Sequence, residues 1–141
     1  MSDADDAHAA ALELIEKVRA AGETEISFDA ETFRALDRIP EELAGIEELS
    51  AVDLDNTQVT DLTPLAALTG LRRLDISATE VTDLAPLAAL TGLRTVWLRD
   101  TRVTDLAPLA TLTGLQALAL DGTAVTDVYP LAGLTELSHL G

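Results

Sequence analysis

The sequence predicts an α/β fold: a solenoid of short parallel strands, closed at its N-terminal end by an α-helical cap. Three observations predict it. A 22-residue unit recurs four times in register, over residues 49–70, 71–92, 93–114 and 115–136. Each unit holds one short stretch in which apolar and polar residues alternate, as in Leu74-Asp75-Ile76, the mark of a half-buried strand. Residues 1–48 ignore the period and carry instead an apolar pattern of helical spacing.

The unit follows L-x-x-(L/V)-x-(L/I)-x-x-T-x-V-T-D-(L/V)-x-P-L-A-x-L-T-x, with small departures. A period of about 20–29 residues with this apolar spacing is the sequence signature of a leucine-rich repeat. In the second unit, Leu74 and Ile76 point inward and Asp75 outward, because successive strand side chains face opposite ways. Val81, Leu84, Leu87 and Leu90 fill the rest of the cross-section. The run Thr82-Asp83-Leu84-Ala85-Pro86-Leu87 predicts a capped helical turn on the back, with proline at its start. The strands then stack into one parallel sheet.

The cap is read in order. Residues 1–6 form an acidic tail. A helix over residues 7–21 lines Leu12, Ile15 and Val18 along one face, with acids before it and Lys17 and Arg19 near its end, as the helix dipole prefers. Gly22 stops it. Glu25-Ile26-Ser27-Phe28 alternates and predicts a strand. Asp29 caps a second helix over residues 30–38, which buries Phe33, Leu36 and Ile39 and ends at Pro40. Ile26 and Phe28 precede Val52 and Leu54 by 26 residues, so they read as the strand of an irregular first repeat. The chain therefore divides into a helical cap with an irregular first repeat at 1–48 and the regular repeats at 49–141. A solenoid needs such a cap, because its first repeat otherwise leaves an apolar end in water. At the other end Leu137-Ser138-His139-Leu140-Gly141 begins a further unit. The expectation is either a longer parent protein or a contact, such as a homodimer, that covers this edge.

Composition narrows the function. The chain has 141 residues, 48% apolar but only 3% aromatic, so its core is built from Leu, Val, Ile and Ala. Its 25 acids and 9 bases give a formal net charge of −16, which repels phosphate backbones and anionic membrane surfaces. Nucleic acid and membrane are therefore not expected partners. There is no cysteine, so neither a disulfide framework nor a thiolate metal site is expected. The acidic start is unlike a secretory signal, and no stretch approaches the ~18 apolar residues of a membrane helix. A cytoplasmic protein is the expectation.

The recurring D-(L/V)-x-P-L segment and the 22-residue period resemble the bacterial leucine-rich repeats of the internalin-like type, over about two-thirds of the chain. The resemblance implies a right-handed solenoid whose concave face carries the sheet and binds a protein. Two features depart from it. The secretion signal and the immunoglobulin-like C-terminal cap of the internalins are not in this sequence, so an invasion or adhesion role is not implied. The family's asparagine is replaced by Thr57, Thr79, Thr101 and Thr123, whose single hydroxyl donor only partly substitutes for an amide.

Function should vary where the repeat does. Three outward columns run across the strands: Asp53, Asp75, Trp97, Ala119; then Asp55, Ser77, Arg99, Asp121; then Ala51, Arg73, Thr95, Ala117. The sole tryptophan thus lands outward, where core packing would have placed it at Val96 or Leu98. A tryptophan beside arginine is the composition of a binding hot spot. The arginines beyond residue 50 all fall in two adjacent repeats: Arg72, Arg73, Arg94, Arg99 and Arg102. They form a basic island suited to an acidic or mixed partner, or else they are solvated charges paired with Asp75 or Asp100. The expected protein-binding set is Trp97, Arg99, Arg73, Asp75, Asp53, Asp55, Thr95 and Ser77. The ladder Asp61, Asp83, Asp105, Asp127 reads as turn caps rather than a calcium site, since one carboxylate per turn is a poor cage. The threonine ladder reads as loop-to-loop hydrogen bonding. Asp53 and Asp75 face each other at about 5 Å, but on an open sheet that forms no dry pocket for acid–base work. His8 and His139 share no motif with a nucleophile, and no phosphate loop, zinc spacing or triad signature occurs. The reading is a non-enzymatic scaffold, without cofactor or metal, that binds a partner protein through the concave sheet centred on Trp97. The alternative is a structural spacer or self-associating module contacting through the C-terminal edge.

Overall fold

A computed structural model describes residues 2–141. One α-helix, α1 (Asp3–Ala21), leads into six short strands: β1 (Glu25–Ser27), β2 (Ala51–Asp53), β3 (Arg73–Asp75), β4 (Thr95–Trp97), β5 (Ala117–Ala119) and β6 (His139–Leu140). The strands form a single parallel sheet in chain order. Successive regular strands are offset by one repeat, with Val52 beside Leu74 and Leu74 beside Val96. The irregular first strand joins with Ile26 beside Val52, the 26-residue offset that its sequence predicts. The fold is a leucine-rich repeat solenoid with a helical cap, the sheet lining its concave face.

The strands stay short because only one apolar pair per repeat points inward. After that pair the chain turns sharply. Asn56, Ala78, Asp100 and Gly122 hold the same repeat position, and all four adopt left-handed backbone, with φ of 62°, 54°, 56° and 75°. Asn, Asp and Gly tolerate this region and alanine does not. The amide N–H groups of Asn56, Ala78 and Asp100 donate to Ser77, Arg99 and Asp121 of the next repeat, at 2.8–3.0 Å. At this position loop-to-loop bonding is thus a backbone task. The threonine ladder, expected to perform it, turns inward instead: Thr57, Thr79, Thr101 and Thr123 each donate to the carbonyl three residues back, at 2.7–2.8 Å. A hydroxyl has one proton to give, and the nearest carbonyl of its own turn takes it.

On the back of the solenoid leucines recur every third residue. Leu62, Leu65, Leu68 and Leu71 are all buried, and each of the last three donates its N–H to the carbonyl of the one before it, at 2.9–3.0 Å. Three-residue spacing matches the three residues per turn of a 3-10 helix, so one face of leucines is kept inward. Short 3-10 turns accordingly appear at Thr63–Leu65, Ala85–Leu87, Ala107–Thr111 and Tyr129–Leu131, each with proline near its start. The expected aspartate caps are in place. Asp61, Asp83, Asp105 and Asp127 each accept the N–H two residues ahead through Oδ1, at 2.9 Å.

The cap departs from its sequence reading in three ways. Residues 3–6 belong to the helix rather than to a tail, because Ser2 and Asp5 form a reciprocal capping box; Met1 lies outside the described residues. The buried stripe of α1 is Ala7, Ala11, Ile15 and Val18, and Leu12 sits half-buried at its flank. Alanine lets the helix approach the core closely, and an i, i+4 stripe selects Ala11 over Leu12. The second helix is absent from residues 30–38. Only Glu31–Phe33 forms a 3-10 turn, and Asp29 makes no cap bond to it. Phe33, Leu36 and Ile39 are buried as expected, but they follow the three-residue spacing of the repeats behind them. Phe33 meets Phe28 edge-to-face at 5.2 Å, closing the N-terminal core. Gly22 ends α1 in left-handed backbone, as its sequence predicts.

Candidate binding face

Strand register places the candidate side chains. Ser27, Asp53, Asp75, Trp97 and Ala119 form one row across five strands, and Glu25, Ala51, Arg73, Thr95 and Ala117 form the parallel row two residues earlier. Trp97 is half-buried and separates two open hollows on the sheet. The first, about 410 Å³, lies toward the cap and is bordered by Glu25, Asp53, Arg73, Asp75 and Trp97 over a floor from β1 and β2. The second, about 430 Å³, lies toward the C-terminal edge and is bordered by Arg99, Ala119, His139 and Leu140.

The expected residues divide between these hollows. Trp97, Asp75, Asp53 and Arg73 gather around the first, while Arg99 lies beyond Trp97 on the second. Thr95 is half-buried beside Arg73 in the lateral row. Ser77 is withdrawn: it is buried, its N–H donates to Asp75 Oδ1 at 2.9 Å, and its hydroxyl accepts the N–H of Arg99 at 3.2 Å. Glu25 was not among the expected residues. Its place follows if the 26-residue offset of the first strand is applied to the outward positions as well as the inward ones.

The arginines are not paired as the composition of the island implied. Arg73 reaches across the small side chain of Ala51 to pair with Glu25. Arg99 Nε lies 3.9 Å from Asp121 Oδ2, and Arg102 Nε lies 2.9 Å from Glu80 Oε2. Asp75 and Asp100 take none of them.

The acids behave differently. One oxygen from each of Asp53, Asp55 and Asp75 lies within 4.8 Å of the others. Burial raises the Asp53 carboxyl above the ordinary aspartate range, and the negative charges of Asp75 and Asp29 add to this. The N–H of Asp55 and the Ser27 hydroxyl oppose it. Asp55 is raised first by burial and then by Asp75 and Asp53, with Arg34 offsetting part of the effect. Asp53 Oδ1 also accepts the Asp55 N–H at 2.9 Å, which fixes the turn after β2. Three carboxylate oxygens are about half the shell a calcium ion takes, and two of the three groups already cap backbone N–H groups. His8 on α1 and His139 on β6 stand at opposite ends of the stack. No described helix is long and apolar enough to cross a membrane.

No protein-family model matches the chain, and no curated protein matches it. Solved structures do. An internalin C2 from Listeria monocytogenes is 34% identical with a TM-score of 0.77, over 84% of this chain and 51% of that one. An internalin (inlF) from the same organism is 21% identical with a TM-score of 0.58, over 99% of this chain and 55% of that one, a likeness of fold alone. The chain spans about half the length of each.

Proposed function

This chain belongs to the leucine-rich repeat proteins of the internalin-like type, and from that premise we propose that it recognises a partner protein through its concave sheet, with Trp97 as the anchoring side chain. The observation that carries the reading is the sole tryptophan, held half-buried between two hollows on an outward strand position. An indole there presents large, rigid contact area at little cost in entropy, and such residues dominate interface energetics. Nothing on this open face encloses a reacting group, so binding rather than catalysis is the role that fits. A cytoplasmic setting belongs to the same proposal; fractionation of native cells checks it.

The test is affinity capture from native lysate beside thermal melts, for wild type and Trp97→Ala. Capture should fall by at least about 30-fold in affinity, a hot-spot effect of roughly 2 kcal/mol. Stability should change by about 1 kcal/mol or less, as for other partly exposed positions. Capture kept by the variant, or lost only together with the fold, sinks the reading.

One observation favours a second role. The large hydrophobic side chains most exposed among the described residues, Val128, Tyr129 and Leu140, all lie at the C-terminal end of the stack. Self-association through that end predicts a concentration-dependent dimer in sedimentation that Leu140→Glu abolishes. A wild-type monomer at high concentration removes it.

A further inference from the structure

The hollow between Trp97 and the cap strand shows a pattern of charge that bears on what it binds. Its one base, Arg73, is already committed. The guanidinium lies over Ala51 and pairs with Glu25 at the far border. The hollow therefore seats one guanidinium against a carboxylate within the chain itself. The remaining acids have no such partner. Among the described residues no basic group lies within 4.0 Å of Asp53, Asp55 or Asp75, and the next outward base, Arg99, pairs with Asp121. Arg34 acts on Asp55 only from farther away. Strand register puts Trp97 directly beside Asp75, and Asp75 beside Asp53. An aromatic wall thus adjoins a half-buried pair of like charges, across an open space of about 410 Å³.

We propose that this hollow receives an arginine side chain of the partner protein, its stem and guanidinium plane packed on Trp97 and its N–H fork directed to Asp75 and Asp53. The inference rests on the concave-face reading above and adds the chemistry of the partner. Arginine fits better than lysine. Its planar guanidinium stacks on an indole face, sheds water more readily, and offers the fork that two carboxylates side by side can accept. The arriving charge also relieves the repulsion between Asp53 and Asp75, with which no basic group among the described residues pairs. On this face Arg73 and Arg99 already pair with Glu25 and Asp121, which makes the acids rather than the basic island the open charge of the hollow.

Trp97 is the only tryptophan, so its fluorescence reports the two hollows it borders, and the Asp53/Asp75 variant below assigns a response to the first of them. The probe is Nα-acetyl-arginine amide at low salt, with Nα-acetyl-citrulline amide as the neutral isostere. The arginine compound should give a saturable change in emission with Kd of roughly 1–10 mM, the scale for one side chain binding without its neighbours. Citrulline should bind at least about 10-fold more weakly, the loss expected when a charge-assisted contact becomes a neutral one. The Asp53→Asn/Asp75→Asn double variant, which keeps both turn acceptors, should lose a similar factor. Asp83→Asn/Asp105→Asn, on the outer turns, should bind like wild type and so controls for the charge of the whole chain. Equal binding of arginine and citrulline, wild-type binding by the Asp53/Asp75 variant, or an unsaturable response overturns the inference. If that happens while Trp97→Ala still abolishes capture, the concave reading stands without its arginine. If capture ignores Trp97, the reading beneath both falls.

Discussion

Two sides of the same strands obey different rules. Inward, Ile26, Val52, Leu74, Val96 and Leu118 are all apolar and buried. One residue along, Ser27, Asp53, Asp75, Trp97 and Ala119 hold no single chemistry across the row. Backbone, register and spacing are common to both sides, so packing alone accounts for the regularity of one and not for the variety of the other. Repetition here marks the core. Irregularity marks the surface that, on the proposed reading, contacts a partner. The contrast predicts that substitutions on the inner side change stability and those on the outer side change binding.

The largest effect should come from Leu87→Ala, in the fully buried leucine column of the back turns. A cavity there should cost about 2–5 kcal/mol in urea denaturation, and the loss should extend to adjoining repeats, since each buries its face against its neighbours. Thr95→Ala on the outward side should cost far less, and equal losses would break the comparison. Thr79→Val comes next. It keeps the shape of a buried side chain but leaves the Ile76 carbonyl without its 2.7 Å donor, for a cost of about 1–2 kcal/mol in the same assay. A smaller effect of opposite sign should follow from Ala78→Gly. Ala78 is held at φ 54°, where glycine is unstrained, so melting should rise by the equivalent of about 1 kcal/mol or less.

The smallest effect sharpens the outer side. Burial and neighbouring acids raise the Asp53 carboxyl in the fold, so its charged form is disfavoured there. The resulting penalty is fully present above the raised folded value and disappears as pH falls through it toward the unfolded value. Asp53→Asn keeps the Oδ1 acceptor and removes the charge. It should melt slightly higher than wild type at neutral pH, by about 0.5 kcal/mol or less because water screens this partly exposed group. The advantage should shrink as pH falls through the raised folded value and vanish below the ordinary aspartate range, where both folded and unfolded wild type are protonated. A difference that grows on acidification would contradict the assignment.

Much of this architecture is legible in the residues because the inner side is periodic. The strands, their registers, the proline-led back turns and the aspartate caps all follow from the 22-residue unit. What escapes is where two geometries share one signal. Phe33, Leu36 and Ile39 fit a ragged helix face as well as a 3-10 turn, and only the three-residue spacing of the leucines behind them decides. The left-handed position is masked by Ala78 among Asn56, Asp100 and Gly122. Small residues mislead for a related reason. Ala7 and Ala11, weak hydrophobic signals, form the buried stripe because their size permits close packing, while the larger Leu12 is left aside. At the candidate binding face the columns put Asp53, Asp75 and Trp97 on the outward row that strand register shows, but also Ser77, which is buried. They did not reveal the Arg73–Glu25 pair, which depends on the reach of one side chain across a small neighbour and on a strand outside the period.

The most direct test of concave recognition is site-specific photo-crosslinking of the captured partner. A benzophenone side chain at Ala117, half-buried on the outward side of β5, should yield an adduct, and one at Ala89, exposed on the back, should not. An adduct from Ala89 with none from Ala117 would place the partner on the wrong side of the solenoid and contradict the account.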